Sequence, residues 1–142
     1  MVFGQVINGE MVLNETGKIV EEVWDSIPAH FAYVELGEFV VMPNHIHGII
    51  SIVNVEATHA SPLPRISQGP APGSIGSIIG SFKSAATRRV YAFTNNHEKP
   101  LWQRNYYEHI IRNERDHLAI YDYILANPMN WEKDEENPHL LR

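Results

Sequence analysis

Two histidines one residue apart, His45 and His47 in the stretch VVMPNHIHGII (residues 40–50), are the side chains whose type and spacing most directly imply chemistry. On an extended strand, residues two apart project from the same face, with Cα atoms about 7 Å apart. Neutral imidazole is a common donor to divalent ions, so a His-x-His pair on a strand can clasp one ion between two ring nitrogens. A hydrogen-bonded or solvated pair has the same spacing, and spacing alone leaves both readings open. Context favours chemistry: the flanking FVVMP and GIISIV are apolar and strand-like, and Gly48 lets a ligand or another backbone approach closely.

A second group lies in NERDHLAIYDYILANP, residues 113–128. At helical spacing Leu118, Tyr121, Ile124 and Leu125 fall within one arc of about 120°, which predicts a buried stripe. Tyr123 lies roughly 150° from the centre of that arc, and Asn127, one turn on, falls beside it. The wheel therefore separates Tyr121, a core residue, from Tyr123, an exposed phenol sharing a face with an amide oxygen. A surface tyrosine without a role fits the same pattern.

The elements that must position these groups are legible in outline. GKIVEEVWDSIPAHF places Ile19, Val23 and Ile27 at four-residue spacing and predicts an amphipathic helix closing near Pro28. AYVELGEFVVMP and HIHGIISIV predict an antiparallel hairpin joined at MPN. Residues 54–73, with four prolines, predict a mobile loop. SIGSIIGSFKSAATRRVYAF predicts a helix capped by Ser74, with Ile75, Ile78, Ile79, Phe82 and Ala86 as its stripe. LWQRNYYEHIIR predicts a short strand and an irregular stretch, and the next helix starts at Asn113 and ends by Asn127, ahead of Pro128. The acidic tail, residues 132–142, is expected to fray in part. Helices over an antiparallel sheet make an α+β fold, in a single domain spanning residues 1–142.

Composition narrows the function classes. The chain has no cysteine, which excludes disulfides and thiolate metal sites. It lacks an apolar run of the roughly 20 residues a membrane span needs, and its N-terminus lacks the pattern of a signal peptide. A cytoplasmic location and no membrane partner are expected. Net charge is −6, but residues 61–112 carry seven bases and only two acids, so an acidic chain keeps a basic middle for a polyanion. Lys83, Arg88 and Arg89 lie on a helix with no acid. They line a phosphate-binding face or simply a solvated one.

Four blocks, FVVMPNHIHGII, SIGSIIGSFKSAATRR, LWQRNYYEHIIRNERD and YDYILANP, in this order and spacing, closely resemble the REP-associated tyrosine transposases. These belong to the HUH superfamily of single-strand DNA nucleases, and the resemblance runs from about Phe3 to Trp131. It implies an HUH, ferredoxin-like sandwich. It assigns His45 and His47 as metal ligands, Ile46 as the intervening hydrophobic residue, Tyr123 as nucleophile and Asn127 as a third, side-chain oxygen ligand. The implied cofactor is Mg²⁺ or Mn²⁺, the partner single-stranded or hairpin DNA, and the product a 5′-phosphotyrosine with a free 3′-hydroxyl. Lys83, Arg88, Arg89 and Arg112 become candidate DNA contacts. Arg112 and His109 are expected to orient the tyrosine helix or touch DNA, and Tyr106 and Tyr107 to stack on unpaired bases or to pack half-buried at a strand end.

Relatives of this type begin with a further strand before the Phe-Gly matched by Phe3-Gly4, whereas this chain starts MVFGQVINGEMVLNETG. A missing strand leaves an unpaired sheet edge. The expected remedy is the segment Val2–Leu13, as a hairpin turning at Asn8-Gly9, moving into that edge; a homodimer pairing the edge and a marginally folded chain are the alternatives. Two rival functions remain at this level: a catalytically inactive hairpin-DNA-binding relic, and an unrelated metal-dependent hydrolase built on the histidine pair.

Overall fold

The computed structural model describes residues 2–53, 74–95, 100–102 and 109–138. The expected loop at 54–73 and the strand and tyrosines expected at 103–108 lie outside them. The chain is α+β: strands β1 (Gly4–Ile7) and β2 (Glu10–Leu13), helices α1 (Glu15–Asp25) and α2 (Ile27–His30), and strands β3 (Val34–Val41) and β4 (Ile46–Ile52). Helices α3 (Ile75–Thr94) and α4 (Glu114–Ala126) follow, with a closing 3-10 turn at Trp131–Lys133. Among the described residues no helix is long and apolar enough to cross a membrane.

The N-terminal hairpin forms with its turn where the sequence puts it. Asn8 and Gly9 have φ of 53° and 79°, the two left-handed positions of the tight turn that matches strand twist. Its expected destination is corrected: among the described residues β1 pairs with β2 alone, and β3 pairs with β4 in a separate ribbon. The reason is that Phe3 acts as a plug. Its ring is fully buried, its N–H donates to the Pro43 carbonyl at 2.9 Å, and its own carbonyl accepts from Asn14 N–H at 3.0 Å. The hairpin is thus tied to the end of the ribbon through Phe3 rather than laddered along its edge.

Helix starts follow side-chain caps. Asn14 accepts from Gly17 N–H, Ser74 from Ser77 N–H and Asn113 from Asp116 N–H, each satisfying a donor the first turn leaves unpaired. The first predicted helix differs in one respect. It breaks at Ser26, and Pro28 stands in the first turn of α2, where its missing N–H costs nothing.

The ribbon is covered on both faces. Helix α1 packs on β3 and on α3, and α4 packs on β3. Phe3, Val20, Trp24, Ile27, Val34, Val41, Ile78, Phe82, Ala86 and Val90 form the main core. Burying each large apolar side chain contributes roughly 1.5–3 kcal/mol. A register shift between Leu36 and Phe39 sets Phe39 opposite Gly48. Trp24 then stacks on Phe39 with ring centroids 4.4 Å apart, and meets Phe82 edge-on.

Gly48 is what allows that stack. A Cβ built on it would lie 2.6 Å from the Trp24 ring and 3.0 Å from Phe39. Trp24 is buried at 3 % exposure and has nowhere to go. Gly48→Ala is therefore expected to cost about 1–3 kcal/mol through overpacking. Gly80→Ala, in α3 with nothing within 4 Å of the new methyl, should gain about 0.5–1 kcal/mol. Thermal melts of the two variants check the pair, and equal Tm values would contradict the packing of Trp24 on β4.

Candidate functional site

Because β4 alternates, the residue before Gly48 faces the other way. Gly48 points to Trp24 of α1, while the His47 ring meets Tyr123 of α4 edge-on, with centroids 5.4 Å apart. His45, immediately ahead of β4, stands on the same side as His47. Their Nε2 atoms are 3.0 Å apart and their rings nearly perpendicular, at 87°. The turn carrying His45 is closed by Met42 N–H donating to the His45 carbonyl at 2.7 Å.

An outer hydrogen bond sets the His45 tautomer. His45 Nδ1 lies 2.7 Å from Asn44 Oδ1, an acceptor, so Nδ1 carries the proton. Asn44 Nδ2 in turn donates to the Glu136 carbonyl at 2.7 Å, which fixes which end of the amide faces the ring. His45 Nε2 therefore presents a bare lone pair, and His47 Nε2–H donates to it. Burial lowers the His45 pKa, opposed by the negative charges of Asp134 and Glu136. Burial, then the neighbouring His45, lowers that of His47 to about 4. Both rings are neutral near pH 7, the form that ligates metal.

The donor set fits a divalent ion. Two nitrogens each about 2.1 Å from one ion stand roughly 3.0 Å apart at a right angle and about 3.4 Å apart at a tetrahedral one. The observed 3.0 Å is that of a hydrogen bond between the rings and is also the spacing two ligands take at a right angle. Among the described residues no three His, Cys, Asp or Glu side chains converge into a complete ligand cluster. Further donors to such an ion would have to be residues of other types or bound groups.

Asn127, expected as a third ligand, stands in the same cleft as the two histidines. It is buried, at 4 % exposure, and lines an open cleft of about 400 Å³ together with His45, His47, Tyr123, Asn130 and the segment Lys133–Glu136. Its Nδ2 donates to the Tyr123 carbonyl at 2.9 Å, which leaves Oδ1 as the acceptor end. The four residues singled out for metal and nucleophile thus come together. Tyr123 is 57 % exposed, as the wheel requires, but the unpacked face expected for Asn127 is not found.

The stripe of α4 is also narrower than expected. Ile124 is buried and Tyr121 half-buried, but Leu118 and Leu125 are exposed at 53 % and 55 %. A straight helix crossing a narrow twisted ribbon touches it along one strip, so the edges of a wide apolar arc overhang.

The basic candidates do not join the cleft. Lys83 Nζ stands 5.8 Å from the centre of the Trp102 ring, and Arg89 is paired with Glu22 of α1. Arg88 and Arg112 are exposed. Among the described residues the basic side chain lining the cleft is Lys133. His109 contacts Asp116 at 2.8 Å, tying the segment before α4 to its first turn.

Residues 139–142, part of the segment expected to fray, lie outside the described residues, and sequence reasoning did not foresee how the start of the tail is held. Trp131 is buried with its ring 6.1 Å from that of His45, and Asn137 Nδ2 donates to the Trp131 carbonyl at 3.0 Å. Asp134 is thereby brought to 3.9 Å from His45 Nε2. The available signal was Trp131 itself, a large apolar residue just ahead of an acidic run.

With fold and site described, the comparisons with known proteins can be placed. The chain is 46 % identical over 139 residues to an uncharacterized protein of Haemophilus influenzae, a match covering 94 % of this chain and 76 % of that protein. It belongs to the same family as that protein. No family model and no solved structure matches the chain.

The tautomer lock is open to test. Asn44→Ala removes the acceptor at Nδ1, so the His45 ring should pass from a single Nδ1–H tautomer to a mixture, read from ¹⁵N shifts of the metal-free protein. An unchanged Nδ1–H ring in that variant would show that Asn44 does not set it.

Proposed function

We propose that this chain is an HUH-type single-tyrosine protein of the REP-associated transposase kind, which cleaves and rejoins single-stranded DNA near a hairpin. The observation that carries the reading is the convergence of a metal-ready histidine pair and an exposed tyrosine from two separate elements, with the His47 ring edge-on against Tyr123. The ordered blocks of sequence that suggested the family are the second support.

In this reading His45, His47 and Asn127 hold a divalent ion, Mg²⁺ or Mn²⁺, which when bound neutralises charge on the scissile phosphate and orients it. Tyr123 supplies the nucleophile. Its Oη forms a bond to phosphorus while the bond from phosphorus to the 3′ oxygen breaks. The phenol gives up one proton and the departing 3′ oxygen gains one, so the step balances as a phosphotyrosine ester plus a 3′-hydroxyl. The ester keeps the phosphodiester linkage available for rejoining. A phenol with a pKa near 10 needs positive charge nearby to react at neutral pH, and Lys133 lines the same cleft. Tyr123 pays little structural cost for its position because its ring is mostly outside the core.

Incubation with labelled single-stranded hairpin DNA and Mn²⁺, followed by a denaturing gel, tests the reading. A covalent protein–DNA band is expected from the parent chain, should fall to background in Tyr123→Phe, and should persist in Tyr121→Phe. An adduct that survives Tyr123→Phe sinks the assignment. A native gel shift without any adduct selects the DNA-binding relic, and neither band selects a hydrolase acting on another substrate.

A further inference from the structure

We propose that Asp134 is the anionic group of the cation site, delivered to the histidine pair by the folded-back C-terminal segment. The inference rests on reading the pair as a cation site and adds a residue from outside the histidine strand and the tyrosine helix.

Charge counting motivates it. Two neutral imidazoles and a carboxamide offer a dication no negative charge, and hard ions such as Mg²⁺ and Mn²⁺ favour carboxylate oxygen. Before DNA arrives with its phosphate, the charge has to come from the protein. Asp134 is placed to give it. Its side chain is only 12 % exposed and that of His45 only 11 %. Its Oδ1 accepts from Glu136 N–H at 2.9 Å, which leaves Oδ2 as the oxygen facing His45 Nε2 at 3.9 Å. The carboxylate thus stands, mostly out of water, beside the ring nitrogen that would hold the ion, close enough to lend it negative charge.

The segment is not placed by accident of a loose tail. Asn130 N–H donates to the Ala126 carbonyl at 3.1 Å, continuing α4 into the 3-10 turn. Trp131 is buried beside His45, and the Glu136 carbonyl holds Asn44, which holds the His45 ring. One segment thus orients a ligand through backbone and supplies charge through a side chain. Glu135 and Glu136 line the same cleft but are exposed, whereas the Asp134 side chain is mostly out of water.

The test is Mn²⁺ binding by the full chain without DNA, measured by calorimetry and by loss of the free-ion electron paramagnetic resonance signal. Asp134→Asn should weaken binding at least about tenfold, in the range seen when groups around a metal are removed. Glu132→Gln, the same charge change on an exposed residue outside the cleft lining, should leave it within about twofold of the parent, the scale expected of a screened surface charge. Parent-like binding by Asp134→Asn, or an equal loss in Glu132→Gln, overturns the inference. A measurement that needs no variant guards against misfolding: in the ¹³C-labelled parent the Asp134 carboxyl resonance should shift with Mg²⁺ in step with the His45 ring nitrogens. A carboxyl resonance that stays put overturns it too. Loss of Mn²⁺ binding in His47→Ala with retention in Asp134→Asn removes only this inference, whereas retention in His47→Ala removes the cation reading of the pair.

Discussion

Holding two imidazole nitrogens 3.0 Å apart is the constraint on which the rest of the site depends. The arrangement tolerates a shared proton or a shared metal ion, but not two charged rings, which would repel at that distance. Neutrality is therefore built in. Burial is the largest cause lowering both pKa values, and for His47 the neighbouring ring adds to it. The neighbouring acids pull the other way without reversing the result. Burial of this kind needs walls. α4 supplies one through Tyr123 and Asn127, and the C-terminal segment supplies the other through Trp131 and Asp134.

The opposite face of β4 is equally determined. Gly48 gives up its side chain so that Trp24 can lie against the ribbon, and Trp24 in turn joins α1 to Phe39 and Phe82. Within two consecutive residues the strand turns an imidazole to the cleft and a bare backbone to the core. A rigid core contact thus sits one residue from His47, which limits how far its ring can drift.

What could be read from sequence divides along the range of the interactions involved. The His45–His47 face follows from a period of two, and the exposure of Tyr123 from a period of 3.6 with the half-buried Tyr121 as its contrast. The Asn8-Gly9 turn and the caps at Ser74 and Asn113 are local chemistry and were equally legible. Asp134 was not, because an acidic run reads as solvated surface, and its placement depends on Asn44 bonding a carbonyl 92 residues away. Leu118 and Leu125 were misjudged for a related reason: periodicity gives the direction of a stripe but not the width of what it packs on. The hairpin at the N-terminus formed as its turn residues require, yet its docking was decided by Phe3 and Pro43, a contact no local pattern encodes.

The site's central claim is that one divalent ion sits between the two ring nitrogens beside Tyr123, and anomalous scattering tests it most directly. Crystals grown with Mn²⁺ and measured at the manganese edge should give a peak about 2 Å from Nε2 of both His45 and His47. A map with no peak there, and with the two nitrogens still sharing a hydrogen bond, would contradict the account.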